Sequence, residues 1–422
     1  MLLIQNGRVL DPYTGTDAPR DVLIGDDGTI ARIAATIDAP GGCDVYDATG
    51  LTVSPGLVDG HVHFRDPGQT EKEDIASGAA AAAAGGYATV ICMANTLPTC
   101  DTPERIRATM DKAAGCPVEV LQAGAITKGL QGRELTDFAA LQAAGAPCLT
   151  DDGLALTTAA LCHAAMEQAA AHDILLSFHE EEPGLVLSPG VDHGSAAAAE
   201  LGVPGARACA ETALIARDIA LALDTGARVL FQHVSAAQSV ALIRAGKALG
   251  ARIYAEVTPH HLSLTEQAVR VHGTHARMNP PLRREADRQA LIDGLIDGTI
   301  DMIATDHAPH TAAEKARPFA KAPSGITGLE TAFSVCNTYL VKTGRLTPLQ
   351  LLARMSQAPA TVYGLTGRAV AEGNVARLVL LDWDSPICYT HYRSKAVNTP
   401  FTGQPLTGAP RAIVTGTRVT AR

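Results

Sequence analysis

His61-Val62-His63 is the segment of this 422-residue chain best suited to hold a metal ion. In an extended segment residues i and i+2 project to the same face, so both imidazoles can meet one cation. Paired surface histidines at this spacing are common, and the motif gains weight only from its company. His179 and His233 each close an apolar, β-branched run, Asp151, Asp152 and Asp306 close others, and Asn95 follows one more. Four imidazoles and two carboxylates suit borderline cations such as zinc, and suit two ions better than one. Metal coordination lowers the pKa of water from about 15.7 to about 7, which supplies a nucleophile near neutrality, and a second ion can polarise a carbonyl.

These residues need a scaffold that brings distant strand ends together. Eight apolar strand candidates occur, at 53–63, 88–94, 118–126, 146–151, 174–179, 228–233, 252–260 and 301–307. Ala/Leu-rich segments with helical periodicity lie between most of them, for example 159–172 and 236–250. The alternation predicts an α/β fold with a (β/α)₈ barrel, whose active site forms at the C-terminal strand ends where the polar residues fall. The ends of the chain differ from this middle. Residues 2–10, 21–34 and 43–50 read as short strands, with Asn6-Gly7 and Asp27-Gly28 as hairpin signals, and 375–384 and 411–420 are also strand-like. The expectation is a composite β-sandwich domain from 1–52 plus 368–422 around a barrel over 53–367.

Composition narrows the function classes. Hydrophobic residues reach 46%, enough for a large core, whereas only 4% are aromatic, which favours helices packed through small side chains. A net charge of −10 without a long basic run argues against a nucleic-acid partner. The nine cysteines are odd in number and contain no CxxC, so the expectation is buried free thiols in a reducing cytoplasm. The N-terminus lacks the pattern of a signal peptide. The uncharged stretch 75–100 has the length of a membrane span, but Gly85-Gly86 interrupts it. It reads as a helix over 75–84, a turn and a strand over 88–94, with no membrane association.

Several segments carry a more specific signal: DGHVHFRDPG (59–68), ANTLP (94–98), TDDG (150–153), EVTPHHL (256–262), MNPPLR (278–283) and ATDHAPH (304–310). EKA (314–316), SGITGLET (324–331) and NTPFTG (398–403) continue the series. In content and order they resemble the dihydroorotase branch of the amidohydrolase superfamily, over nearly the whole chain. The resemblance implies a binuclear site with two Zn²⁺. His61, His63 and Asp306 would hold one ion, His179 and His233 the second, and Asp152 with a hydroxide would bridge them. Many relatives bridge with a carboxylated lysine; the aspartate pair here is similar to the bacterial type with an Asp bridge. Asp151 is the weaker candidate, since period-two alternation turns it away. Asp306 would also carry the nucleophile's proton to the leaving nitrogen.

The implied reaction is reversible hydrolysis and closure between L-dihydroorotate and N-carbamoyl-L-aspartate, in pyrimidine synthesis. Arg65, on the strand face of His63, has the planar fork that suits the substrate carboxylate, and Asn95 and His310 resemble its partners. Asn279 resembles the ring contact, and Ser324 and Gly325 match a loop that offers backbone groups to the ring. His260, His261 and His307 are expected to be structural; His163, His172, His193, His272, His275 and His391 lack a constellation. Relatives read His-Cys-Glu-Asp after the fifth strand, whereas this chain has His179-Glu180-Glu181-Glu182. Two alternatives stay open. One is another cyclic amidohydrolase, such as a hydantoinase, dihydropyrimidinase or allantoinase, against which the absent bridging lysine argues. The other is a non-catalytic dihydroorotase-like subunit of aspartate transcarbamoylase, against which the complete ligand set argues. A hybrid also stays open, in which an active enzyme docks on a transcarbamoylase or needs it for full activity, and a homodimer is expected only from how common dimers are.

Overall fold

Short strands with turns open the chain. In the computed structural model, which describes residues 1–422, they are β1 (Leu2–Gln5), β2 (Arg8–Asp11), β3 (Thr16–Pro19), β4 (Asp21–Ile24), β5 (Ile30–Ala34), β6 (Asp44–Asp47) and β7 (Thr52–Pro55). Strands alternating with helices follow: β8 (Leu57–Val62), β9 (Tyr87–Cys92), β10 (Glu119–Gln122), β11 (Leu149–Thr150), β12 (Leu175–Phe178), β13 (Arg228–Phe231), β14 (Ile253–Val257) and β15 (Met302–Ile303). The chain ends on β16 (Arg377–Cys388), β17 (Pro405–Thr415) and β18 (Arg418–Ala421).

The terminal strands form two sheets, ordered β5-β4-β1-β6 and β18-β17-β16-β7-β2-β3, so the second draws on both ends of the chain. Leu2, Ile4, Val22 and Ile24 from the first sheet pack with Val9, Val53, Leu378, Leu380 and Val414 from the second in one buried cluster. Burying each such side chain contributes roughly 1.5–3 kcal/mol. Asp27-Gly28 closes the expected hairpin, with β4 and β5 antiparallel. Asn6-Gly7 does not. A type I′ hairpin needs positive φ at both central residues, and of this pair only Asn6 has it, at 62°. Instead β1 pairs with β4 and β6, and β2 with β3 and β7. The chain crosses between sheets at Gly7, where a Cβ would lie 2.6 Å from Val53 Cγ2.

The middle strands are parallel, in a three-stranded sheet β10-β9-β8 and a five-stranded sheet β11-β12-β13-β14-β15. Isolated parallel bridges, Gly124 to Leu149 and Val62 to His307, join the two sheets at both seams. Hydrogen bonds run there from Thr150 N to Gly124 O (2.8 Å) and from His63 N to His307 O (2.9 Å).

Between β8 and β9 the uncharged stretch becomes a helix, Ile75–Ala84, capped by Asp74, which accepts from Ser77 N at 2.8 Å. It stops at Gly85-Gly86, where Gly86 takes a φ of 85°. Its small residues let it approach closely: a Cβ on Gly78 would lie 2.4 Å from the Phe64 ring. No helix of the structure is long and apolar enough to cross a membrane. All nine cysteines are free, but only Cys92, Cys100, Cys148, Cys162 and Cys336 are buried. Cys209, in the first turn of the Ala208–Thr225 helix, and Cys388, at the end of β16, are exposed, so the expectation of buried thiols fails there.

Strand alternation sorts side chains into two cores. Val90, Leu176, Phe178, Val229, Phe231, Ala255 and Val257 join the large cluster that includes helix residues. Ile91, Met93, Ala123, Cys148, Leu175, Leu230 and Met302 form a separate cluster with Tyr363. Stepping by two along this second, inner face leads from Met93 to Asn95, from Cys148 to Asp152, from Leu175 to His179 and from Met302 to Asp306.

Candidate metal centre

His61, His63, Asp152, His179, His233 and Asp306, brought by five different strands, converge in one buried cluster. Three overlapping groups each keep their ligand atoms within 4.8 Å of one another: His61–His63–Asp152, His61–His233–Asp306 and Asp152–His179–His233. His63 Nε2 lies 3.0 Å from Asp306 Oδ1 and 3.4 Å from Asp152 Oδ2. His61 Nε2 is 3.3 Å from Asp152 Oδ1 and 3.5 Å from Asp306 Oδ1. His179 Nδ1 faces His233 Nε2 at 3.0 Å and Asp152 Oδ1 at 3.8 Å. Asp152 therefore has both histidine pairs within reach.

The backbone at this end of the strands is strained. Six non-glycine residues have positive φ, and three of them are Arg65 (58°), His233 (31°) and Asp306 (46°). Such conformations cost roughly 1–3 kcal/mol each and persist where the surroundings impose them. For His233 the kink has a clear use. Leu230 lies in the inner cluster and Phe231 in the outer, so regular alternation would send His233 outward with Phe231. The left-handed turn brings it to the cluster instead.

Neighbouring groups leave one nitrogen of most rings facing the centre. Glu256 Oε1 meets His61 Nδ1 at 2.6 Å, Asn95 Oδ1 meets His63 Nδ1 at 3.0 Å, and Glu181 Oε2 meets His179 Nε2 at 3.1 Å. That leaves Nε2 of His61 and His63 and Nδ1 of His179 for the centre. Asp59 accepts from the amides of His61 and Thr305 at 3.1 Å each and ties the first strand to the last. Burial pushes its carboxyl up to about 6. Sequence reasoning missed Glu256, Glu181 and Asp59 as supports. Glu256 carried a readable signal, because Tyr254 packs on the inner cluster and alternation places a carboxylate two residues further on the same face.

The charges are arranged for a cation. Burial opposes ionisation of Asp152, but His61, His63 and His179 outweigh it and hold its carboxyl well below the usual range. Burial likewise opposes a charged His61, and the carboxylates of Asp152, Asp306 and Glu256 overcome it and raise its pKa well above normal. Burial, then the charges of His179 and His61, keep His233 neutral. The buried His61 Nε2 and His233 Nδ1 have no hydrogen-bond partner. Of the two, His61 Nε2 stands between Asp152 and Asp306, and an orphaned ring nitrogen beside two carboxylates fits a nitrogen- and oxygen-liganded divalent metal.

Above the cluster opens a cleft of about 540 Å³, lined among others by Arg65, Asn95, Asn279, Ser324 and Gly325. Asn95 Nδ2 donates to Asp152 Oδ2 at 3.0 Å, so it bridges cleft and cluster. Ser324 Oγ bonds Asn279 Oδ1 at 3.1 Å. The expectation that Gly325 offers its backbone to a ligand needs correction. Its N–H donates to Arg277 O at 3.0 Å, and its carbonyl accepts from Lys315 Nζ and Asn398 Nδ2, both at 2.9 Å. Glycine is required there for close approach: a Cβ would lie 2.7 Å from Ala308 O. The Ser324 N–H makes no backbone hydrogen bond and stays available. His310 is not among the cleft-lining residues; its Nε2 bonds Ser324 O at 2.8 Å, and burial, then Arg65, lowers its pKa to about 3.

Asp151 turns away, as alternation requires, and accepts from the amides of Ile126 (2.8 Å) and Thr127 (3.0 Å). Glu180 also leaves the centre: it is buried, and burial, then Asp218, push its pKa well above normal. His261 is held by Thr258 Oγ1 at 2.8 Å and Pro280 O at 3.1 Å, and His260 packs against it. His307 Nδ1 accepts from Gly328 N at 3.2 Å, and its Nε2 lies 3.4 Å from Glu73 Oε2.

Comparison with known proteins agrees with this geometry. A family model described as dihydro-orotase-like matches residues 50–239. The dihydroorotase of Clostridioides difficile is 49% identical over 97% of this chain and 96% of its own, and that of Clostridium acetobutylicum is 48% identical over 98% of each. Among solved structures, the L-hydantoinase of Arthrobacter aurescens superposes with a TM-score of 0.88 at 24% identity, covering 100% of this chain and 96% of its own. The D-hydantoinase of a Thermus species gives 0.85 at 25%, covering 100% and 95%. The hydantoinases thus share the fold, and sequence identity sustained from end to end places the chain in the dihydroorotase family.

Proposed function

We infer that the chain catalyses the dihydroorotase reaction, the reversible interconversion of L-dihydroorotate and N-carbamoyl-L-aspartate in pyrimidine biosynthesis. The observation that carries this is 49% identity to a curated dihydroorotase over 97% of the chain. The convergence of the metal-ligand candidates beneath a cleft with an arginine supports it.

In this reading the fold is a closed (β/α)₈ barrel of β8 to β15, supported by the two bridged seams, beside a β-sandwich from 1–55 plus 368–422; the expected boundary at 52/53 shifts because β7 (Thr52–Pro55) pairs with β2 and β16. His61, His63 and Asp306 would hold one Zn²⁺ and His179 and His233 a second, with Asp152 within reach of both histidine pairs. When bound, such ions acidify water to a pKa of about 7 and polarise the substrate carbonyl. The chain's own residues do the rest. Arg65 pairs with the substrate carboxylate through its planar fork. Asn95 and His310 stand on either side of that role, Asn95 lining the cleft and His310 holding the Ser324 carbonyl. Asn279 and the Ser324 hydroxyl and N–H address the ring, and Gly325 permits the close approach of its wall. Asp306 accepts the proton of the attacking water and delivers it to the ring nitrogen as the C–N bond breaks. In closure the same carboxylate works in reverse, and one proton is taken up overall. The free thiols suit a reducing cytoplasm.

The test is turnover by purified, zinc-loaded protein of L-dihydroorotate, with a hydantoin, dihydrouracil and allantoin in parallel. Consumption of dihydroorotate alone is expected. Turnover of a neutral ring instead would overturn the substrate assignment. No turnover with two metals bound, restored by adding an aspartate transcarbamoylase, would make this an enzyme that needs that partner.

A further inference from the structure

The wall of the cleft at Ser324 and Gly325 is held by two side chains that touch neither the metal cluster nor the cleft. Lys315 is buried, at 2% exposure. Its Nζ donates to two carbonyls, Pro323 O at 3.0 Å and Gly325 O at 2.9 Å, which flank Ser324. Burying an amine is costly unless its donors are satisfied, and the only hydrogen bonds this one makes are to the two carbonyls of that segment. Asn398 comes from the connection between β16 and β17, outside the parallel strands, and is 2% exposed. Its Nδ2 donates to Ala308 O and to Gly325 O, both at 2.9 Å, and its Oδ1 accepts from His310 N at 3.0 Å. Its backbone carbonyl accepts from Thr327 N at 3.0 Å. One side chain thus ties the segment after Asp306 to the segment around Ser324.

We propose that Lys315 and Asn398 are positioning residues that clamp segment 323–327 against segment 308–310, so that the β16–β17 connection forms part of the active-site architecture. The clamp sets where the Ser324 hydroxyl and N–H stand relative to Arg65 and Asp306. It also accounts for two sequence segments, EKA and NTPFTG, that the chemistry itself leaves unused. It rests on the reading of Ser324 as a substrate contact. Both clamps converge on the Gly325 carbonyl, so their effects are coupled.

The test uses the full zinc-loaded chain with Asn398→Asp, which keeps shape but turns a donor into an acceptor facing two carbonyls, and Lys315→Met, which keeps length without a donor. Four quantities are read: metal content, melting temperature, amide hydrogen exchange at 324–328, and kinetics with L-dihydroorotate. Metal content is expected to stay at the wild-type level. Exchange at Thr327 and Gly328 rises at least about tenfold while amides of β12 and β13 keep their protection. The kcat/KM falls roughly 10- to 100-fold, carried mainly by KM, since a displacement of about 1 Å can cost on the order of 100-fold. The double variant loses less than the product of the singles, and Lys315→Arg recovers part of the loss. Unchanged exchange at 324–328 in a folded variant would overturn the clamp. So would faster local exchange with wild-type kinetics, or exchange raised equally throughout the protein. If Lys315→Met does not fold, the near-isosteric Asn398→Asp carries the test. If the wild type itself ignores dihydroorotate, the functional reading fails while the exchange data still decide the clamp.

Discussion

Removing the carboxylate of Glu256 is the sharpest perturbation of the proposed metal centre, because Glu256 touches no candidate ligand except His61. Its Oε1 lies 2.6 Å from His61 Nδ1, and its Oε2 has no hydrogen-bond partner. The His61 bond is therefore the one side-chain hydrogen bond that a substitution removes. A hydrogen bond to a charged group contributes about 1.5–3 kcal/mol and a neutral one about 0.5–1.5 kcal/mol. Glu256→Gln keeps an acceptor and the ring tautomer but loses the charge, a difference of about 1–1.5 kcal/mol. At 1.4 kcal/mol per tenfold this weakens zinc binding roughly 5- to 10-fold. Glu256→Leu also strands the buried His61 Nδ1–H, at a further cost of about 1–3 kcal/mol, so its affinity falls on the order of 100-fold, within the range known for carboxylates behind metal-binding histidines. Zinc affinity is measured by competition with a chelator of known strength, with circular dichroism as the check on folding. A folded Glu256→Leu protein with wild-type zinc affinity would refute the assignment of His61 Nε2 to the metal.

Further outcomes follow from the same geometry. Asp306→Asn is expected to abolish turnover while some metal remains, whereas His61→Ala loses metal and activity together; full activity in either variant, with metal quantified by mass spectrometry, contradicts the mechanism. Arg65→Lys retains charge without the planar fork and should raise KM for dihydroorotate about 10-fold, and Arg65→Met about 100-fold, as expected for a charged hydrogen-bonded pair; an unchanged KM places the substrate carboxylate elsewhere. Burial, then the neighbouring Arg277, lowers the Lys315 pKa from 10.5 to about 7. Between those values the unfolded chain binds more protons than the folded one, so this group makes stability rise with pH by at most about 1.4 kcal/mol per unit. Chemical denaturation from pH 7 to 10 should show that rise in wild type, and Lys315→Met should remove it; parallel curves would contradict the assignment.

Sequence alone determined the chemistry-bearing residues and the order of the elements. The eight apolar runs supply β8 to β15, the first run being shared with β7 of the terminal sheet, because parallel strands are buried on both faces and read as continuous apolar stretches. Period-two alternation was enough to separate Asp152 from Asp151 and to place His179, Asn95 and Asp306 on the inner face. Glu256 was legible by the same rule. Tertiary structure decided what depends on kinks and on distant partners. His233 reaches the cluster through a left-handed backbone that alternation alone would not supply. Asn6-Gly7 carries the signature of a hairpin but serves a crossing between sheets, because the neighbours of β1 and β2 lie elsewhere in the chain. Gly325 needed its surroundings to show that its backbone is already bonded by Arg277, Lys315 and Asn398, from 10 to 73 residues away for the last two. A local sequence pattern encodes which way a side chain points. Which group waits at the other end of it is encoded only by the assembled fold.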